Sequence, residues 1–130
     1  MMPRLDFNVN FAKTSDKQEL AEIAEHIRAA LAEEDGVTEP AAVPIRAGRG
    51  MAEAVALVAV ALTVASDIDK GLKAVEAMID RFRKLFAGSQ KKSEQILAGL
   101  DKSSILIDVD GVLVPLNKLT EEHLEWLRNN

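Results

Sequence analysis

Residues 105–116 read Ile105-Leu106-Ile107-Asp108-Val109-Asp110-Gly111-Val112-Leu113-Val114-Pro115-Leu116, and this stretch decides the fold class. Asp-Gly between two β-rich runs signals a two-residue hairpin turn, because its central residues must take positive φ. Pairing Val109 with Val112 puts Ile105, Ile107, Val109, Val112, Val114 and Leu116 on one face. Every side chain there is apolar, so that face is expected to be core. Leu106, Leu113 and Pro115 fall on the opposite face with Asp108. Pro115 lies opposite Leu106 in a non-hydrogen-bonded pair, so its missing N–H leaves the outer side of the second strand open at that point. Downstream, Thr120 caps a short helix that buries Leu124 and Leu127 and leaves Trp126 off the buried stripe.

The chain's start supplies a partner for this hairpin. Leu5, Phe7, Val9 and Phe11 alternate with Asp6, Asn8 and Asn10, the period of a half-buried strand and not of a signal peptide. Ser15 with Gln18 reads as a capping box, and Leu20, Ile23, Ala24, Ile27, Ala30 and Leu31 then form the apolar face of a helix stopped near Gly36. Residues 35–50 are rich in Gly, Pro, Ala and Thr and read as an internal connector. Within it Val43–Arg46 is a candidate edge strand, since Pro44 is tolerated only at an edge. Gly48-Arg49-Gly50 reads as a flexible turn rather than an anion-binding nest.

Residues 51–66 are the most apolar run. About 20 such residues are needed to cross a bilayer, and this run is bracketed by Glu53, Asp67 and Asp69. A buried helix packed through its alanines is the expectation, with a buried strand or membrane insertion as alternatives. Ile68, Leu72, Val75, Ile79, Phe82 and Phe86 follow at spacings of a core-facing helix, widened by Met78 and Leu85; the same seam is a candidate for self-association.

The 130 residues suit a single domain, 1–130. The hydrophobic fraction of 48% and the charged fraction of 28% exclude wholesale disorder. The absence of Cys excludes disulfides, thiolate zinc sites and Cys nucleophiles, and a cytoplasmic address fits it. A formal net charge of -5 argues against nucleic acid as a partner. Lys70, Lys73, Arg81, Arg83, Lys84, Lys91 and Lys92 make the centre basic between acidic flanks, and internal pairing with the first helix is the simplest account. The expected fold is α+β: a small, mostly antiparallel sheet of the N-terminal strand and the Asp-Gly hairpin, packed against two or three helices.

Ile107-Asp108-Val109-Asp110-Gly111-Val112-Leu113 is similar to the first motif of the haloacid-dehalogenase-like phosphatases. That resemblance implies a nucleophilic Asp108, a general acid and base at Asp110, and a Mg²⁺ cofactor. The surroundings differ. The family's motif opens a Rossmann-like domain and runs into a loop and helix, whereas Val112–Leu116 reads as a returning strand. Asp110 has a sufficient role as a turn residue. His26 and His123 have no neighbouring His or Cys, so no metal, cofactor or catalytic residue is expected.

The order of parts carries a second resemblance. Ala54 to Phe86, then Ile105–Val114, then Leu119-Thr120-Glu121-Glu122 entering the last helix, resemble the effector-associated constant component proteins of bacterial conflict systems. The polar stretch Ser89–Gly99 lies outside that pattern. The resemblance implies a non-enzymatic accessory protein in antiviral defence, working beside an NTPase and an effector. The expected function is therefore an adaptor that binds itself or another protein through Leu106, Leu113, Pro115 and Trp126. A phosphohydrolase using Asp108 and Asp110, or a membrane-surface protein using residues 51–92, is the alternative.

Overall fold

The computed structural model describes residues 3–11, 17–47 and 55–130. The expected Ser15 cap, the Gly48-Arg49-Gly50 turn and Glu53 lie outside them. The chain runs β1 (Arg4–Phe11), α1 (Lys17–Ala32), β2 (Val37–Ala47), β3 (Val55–Val64), α2 (Ile68–Leu85), α3 (Lys92–Ala98), β4 (Ile105–Val109), β5 (Val112–Pro115) and α4 (Glu121–Asn129). The strands form one sheet in the order β2-β3-β1-β4-β5, with every neighbouring pair antiparallel.

Because β1 and β2 are both antiparallel to β3, they are parallel to each other, with β3 inserted between them. This is the split β-α-β of the ferredoxin-like arrangement, β-α-β-β-α-β, extended by β5 and α4. The fold is α+β, as expected, although its sheet is larger and its helices number four among the described residues.

The hairpin follows the sequence register. Val109 pairs with Val112, Ile107 with Val114 and Leu106 with Pro115, while Asp110 and Gly111 take φ of 53° and 82°. Both positive values are what a type I′ turn requires. One expected core residue departs: Val112 is 62% exposed. It sits at the hairpin tip on the sheet's edge, where a strand lies on one side only.

Two larger expectations are overturned. The run expected to be a helix, 51–66, is strand β3 from Val55, flanked on both sides by β1 and β2. Val58, Val60, Leu62 and Val64 are buried and alternate with half-buried Leu57, Ala59, Ala61 and Thr63. The β-branched and Leu side chains form one face of a pleat, and the alanines thin the other. The run expected to be a connector, 35–50, contains the 11-residue strand β2. Its register shifts between Thr38 and Ala41, where Glu39 takes φ 51° and Pro40 follows, so a bulge absorbs the residues that look like breakers. The foreseen edge position is correct, with Pro44 in the outermost strand.

The helices occupy one face. Leu20, Ile23, Ile27 and Leu31 of α1 join Ile68, Val75, Met78, Ile79 and Phe82 of α2, Leu97 of α3 and Leu127 of α4 in a single core with Leu5, Phe7, Val9, Ile105 and Ile107 of the sheet. The seam of α2 is thus filled from within the fold; Leu85, expected to widen it, is 66% exposed. Asp67 caps α2 by accepting from Lys70 N at 3.1 Å. Within Ser89–Gly99, Ser93 of α3 is the buried polar residue, and its hydroxyl donates to Glu22 of α1 at 3.1 Å. Arg128 of α4 forks onto Asp69 of α2 at 3.1 and 3.0 Å. No helix among the described residues is long and apolar enough to cross a membrane.

Candidate interaction surface

Among the described residues, the sheet's other face carries no helix. Its side chains alternate with the buried ones, so strand pairing defines its geometry directly. Val43 of β2 pairs with Ala59 of β3, Ala59 with Asn8 of β1, Asn8 with Leu106 of β4, and Leu106 with Pro115 of β5. One row therefore crosses all five strands with a single polar member. A second row begins with Ala41, Ala61 and Asp6, and Asp108 pairs with Leu113 at its far end. A third places Ile45 beside Leu57 and Leu57 beside Asn10.

Leu106, Leu113 and Pro115, expected from the sequence to share the face away from the core, are brought together here. Leu113 is 46% exposed, while Leu106 and Pro115 are half-buried. Trp126 lies at the sheet's end, on α4, half-buried and partly packed against the core. The sequence reading missed the contribution of β2 and β3: Val43 at 57% and Ile45 at 39% exposure, over alanines at 41, 59 and 61. The signal was present as the Val-Ala alternation of 58–61, in which Ala59 and Ala61 on one face leave a low floor.

Two depressions of about 370 Å³ each lie on this side of the molecule. One is floored by Ala41, Ala59 and Ala61 beside Val43 and Asn8, and the other is bounded by Asp110, Gly111, Trp126 and Asn130. Arg4, Asp6 and Asp108 line both, so the two meet across β1 and β4. Arg4 Nε donates to Asp6 Oδ1 at 3.1 Å, two residues along the same face. Asp108 and Asp110 have no ion pair among the described residues, which leaves this end of the face negative.

The phosphatase-like motif sits here, in turn geometry. Asp110 occupies the left-handed first position of the turn, and the Asp108 carboxylate accepts from Gly111 N at 2.9 Å. Among the described residues no group of three or more His, Cys, Asp or Glu is arranged to hold a metal ion. His26 packs edge-on against Phe86, with ring centroids 5.1 Å apart. His123 completes a capping box: its Nδ1 accepts from Thr120 N at 3.0 Å while its own N–H donates to the Thr120 hydroxyl at 3.3 Å.

On the helical side, most of the central bases find partners within the molecule. Arg81 pairs with Glu33 at 2.7 Å, Lys91 with Glu22 at 3.4 Å, Lys92 with Glu19 at 3.9 Å, and Lys70 with Asp35 at 3.8 Å. The guanidinium of Arg83 donates twice to the Leu100 carbonyl, at 3.3 and 3.2 Å. The basic centre of the sequence is thus joined to the acidic α1 and the loop after it, as expected from charge distribution. No family model matches the chain, and no curated protein and no solved structure matches it either.

Proposed function

We propose that this chain is a non-enzymatic interaction component that engages another protein, or a second copy of itself, through the helix-free face of its sheet. The observation that carries the reading is the row Val43, Ala59, Asn8, Leu106 and Pro115, which crosses every strand with one polar side chain. Soluble monomers seldom present a contiguous apolar patch of several hundred Å² without a use for it. The sheet's edges offer less: β2 carries Pro40, Pro44 and a bulge, and β5 is four residues long and ends in Pro115. Such features discourage strand addition and leave the face as the route of contact.

The layout resemblance to effector-associated constant components gives this reading a setting. In it the chain is an accessory of a bacterial conflict system, acting in the cytoplasm in antiviral defence beside an NTPase and an effector. Fold alone supports no function, so the reading rests on the face.

The test is sedimentation velocity of the chain alone and mixed with the products of adjacent genes. Leu113→Asp and Ala59→Arg each place a charge on the face without touching the core. Both variants are expected to keep the wild-type circular dichroism spectrum and to lose association. Variants that remain associated would remove this face from the account.

A further inference from the structure

We infer that the occupant of this face is a short cationic segment of a partner protein, presenting Lys or Arg beside small apolar side chains. The inference rests on the interaction reading above and adds the chemistry of the partner. Size comes first. Four interstrand gaps of ~4.8 Å and about seven residues at ~3.3 Å give a face of roughly 19 by 23 Å, on the order of 450 Å². That falls short of the ~800 Å² per partner of a standard protein–protein interface. It matches an extended segment of about seven residues, which spans the same ~23 Å.

Charge then decides which segment. Around the joined depressions Asp6, Asp108 and Asp110 face a single base, Arg4, which is already paired with Asp6. A twofold axis on this face would press two net-negative surfaces together and desolvate carboxylates without new partners, a costly arrangement. A cationic segment supplies those partners. Its Lys or Arg would lie where Trp126 and the carboxylates border one depression, since an indole face and an acid both attract a cation. Its apolar side chains would fill the depression floored by Ala41, Ala59 and Ala61. The spread carboxylates form no cluster suited to a metal ion among the described residues, which favours a side-chain cation over a divalent one.

Trp126 is the chain's single tryptophan, so its emission reports binding directly. The probes are three capped heptapeptides: Lys alternating with Val, Glu alternating with Val, and Lys alternating with Ser. Saturable change in emission is expected with Lys-Val, at least tenfold weaker binding with Lys-Ser, and none with Glu-Val. Asp6→Asn with Asp110→Asn keeps the turn, because Asn also accepts positive φ, and should weaken Lys-Val binding about three- to tenfold. Ala59→Arg, which fills the floor, should abolish it. Equal binding of Glu-Val, equal binding of Lys-Ser, or no response to any peptide overturns the inference. If no peptide binds yet Ala59→Arg breaks association in the sedimentation test, the cationic partner falls and the interaction face stands. If Ala59→Arg changes nothing in either experiment, both fall.

Discussion

The Asp108 carboxylate accepts a hydrogen bond from the Gly111 amide across the hairpin turn, at 2.9 Å. In a phosphatase-like motif the corresponding carboxylate would be offered to phosphorus; here it is turned onto the backbone three residues on. Each acid of Asp108-Val109-Asp110 therefore has a place in the turn, one by the bond it makes and the other by its φ of 53°.

Removing that bond should be felt as stability. Asp108→Ala is expected to cost about 0.5–1.5 kcal/mol, the net worth of one hydrogen bond, while Asp108→Asn keeps an acceptor and should cost less. Gly111→Val meets a φ of 82° and should cost about 1 kcal/mol or more. Urea unfolding measures all three. Mg²⁺-dependent hydrolysis of p-nitrophenyl phosphate that disappears in Asp108→Asn would instead support the phosphohydrolase alternative.

A second prediction concerns how α2 lies on β3. A Cβ placed on Gly71 would come within 2.7 Å of Val64 Cγ2, a buried branch with no room to retreat. Gly71→Ala gains up to about 1 kcal/mol of helix propensity, against about 1–3 kcal/mol for overpacking the core. The balance should be destabilising. A raised melting temperature in this variant would show that α2 can lift off the sheet.

A third follows from Asp101, which caps the turn leading into β4. Its carboxylate accepts from the Ser103 hydroxyl and from the amides of Ser103 at 2.8 Å and Ser104 at 3.2 Å. These bonds, the Ser103 hydroxyl first, hold its pKa below the ordinary 3.8. A depressed carboxylate stabilises the fold above its unfolded value and loses that contribution as pH falls through the folded one. The Asp101 carboxyl resonance should therefore titrate below 3.8. Asp101→Asn should flatten the acid limb of stability against pH, and an unchanged limb would refute the cap's role.

Local signals carried half of this fold. Asp110-Gly111 announced its turn, Thr120 its cap and Leu20–Leu31 its buried stripe, because each depends on residues close in sequence. Strand β3 was obscured because Ala and Val are compatible with both helix and sheet. Full burial on one face and half-burial on the other only become distinct once β1 and β2 flank it. Strand β2 was legible over Val43–Arg46, where an edge position accommodates Pro44, but its first half was obscured because Pro40 reads as a breaker until the bulge accommodates it. Ala59 and Ala61 of the candidate surface stayed hidden with β3, while Val43 and Ile45, inside the foreseen edge strand, join it only through the register of β2 on β3. Leu106, Leu113 and Pro115 were legible because the hairpin's own period of two separates its faces.

The central claim is that the molecule works through the helix-free face of its sheet, and site-specific photocrosslinking in its native cells tests it most directly. Benzoylphenylalanine would replace exposed Val43 or Leu113 on that face, and Lys73 or Lys84 on the exposed side of α2. The account predicts discrete protein adducts from positions 43 and 113 and none from 73 and 84. Adducts from the α2 positions alone, or from none of the four, would contradict it.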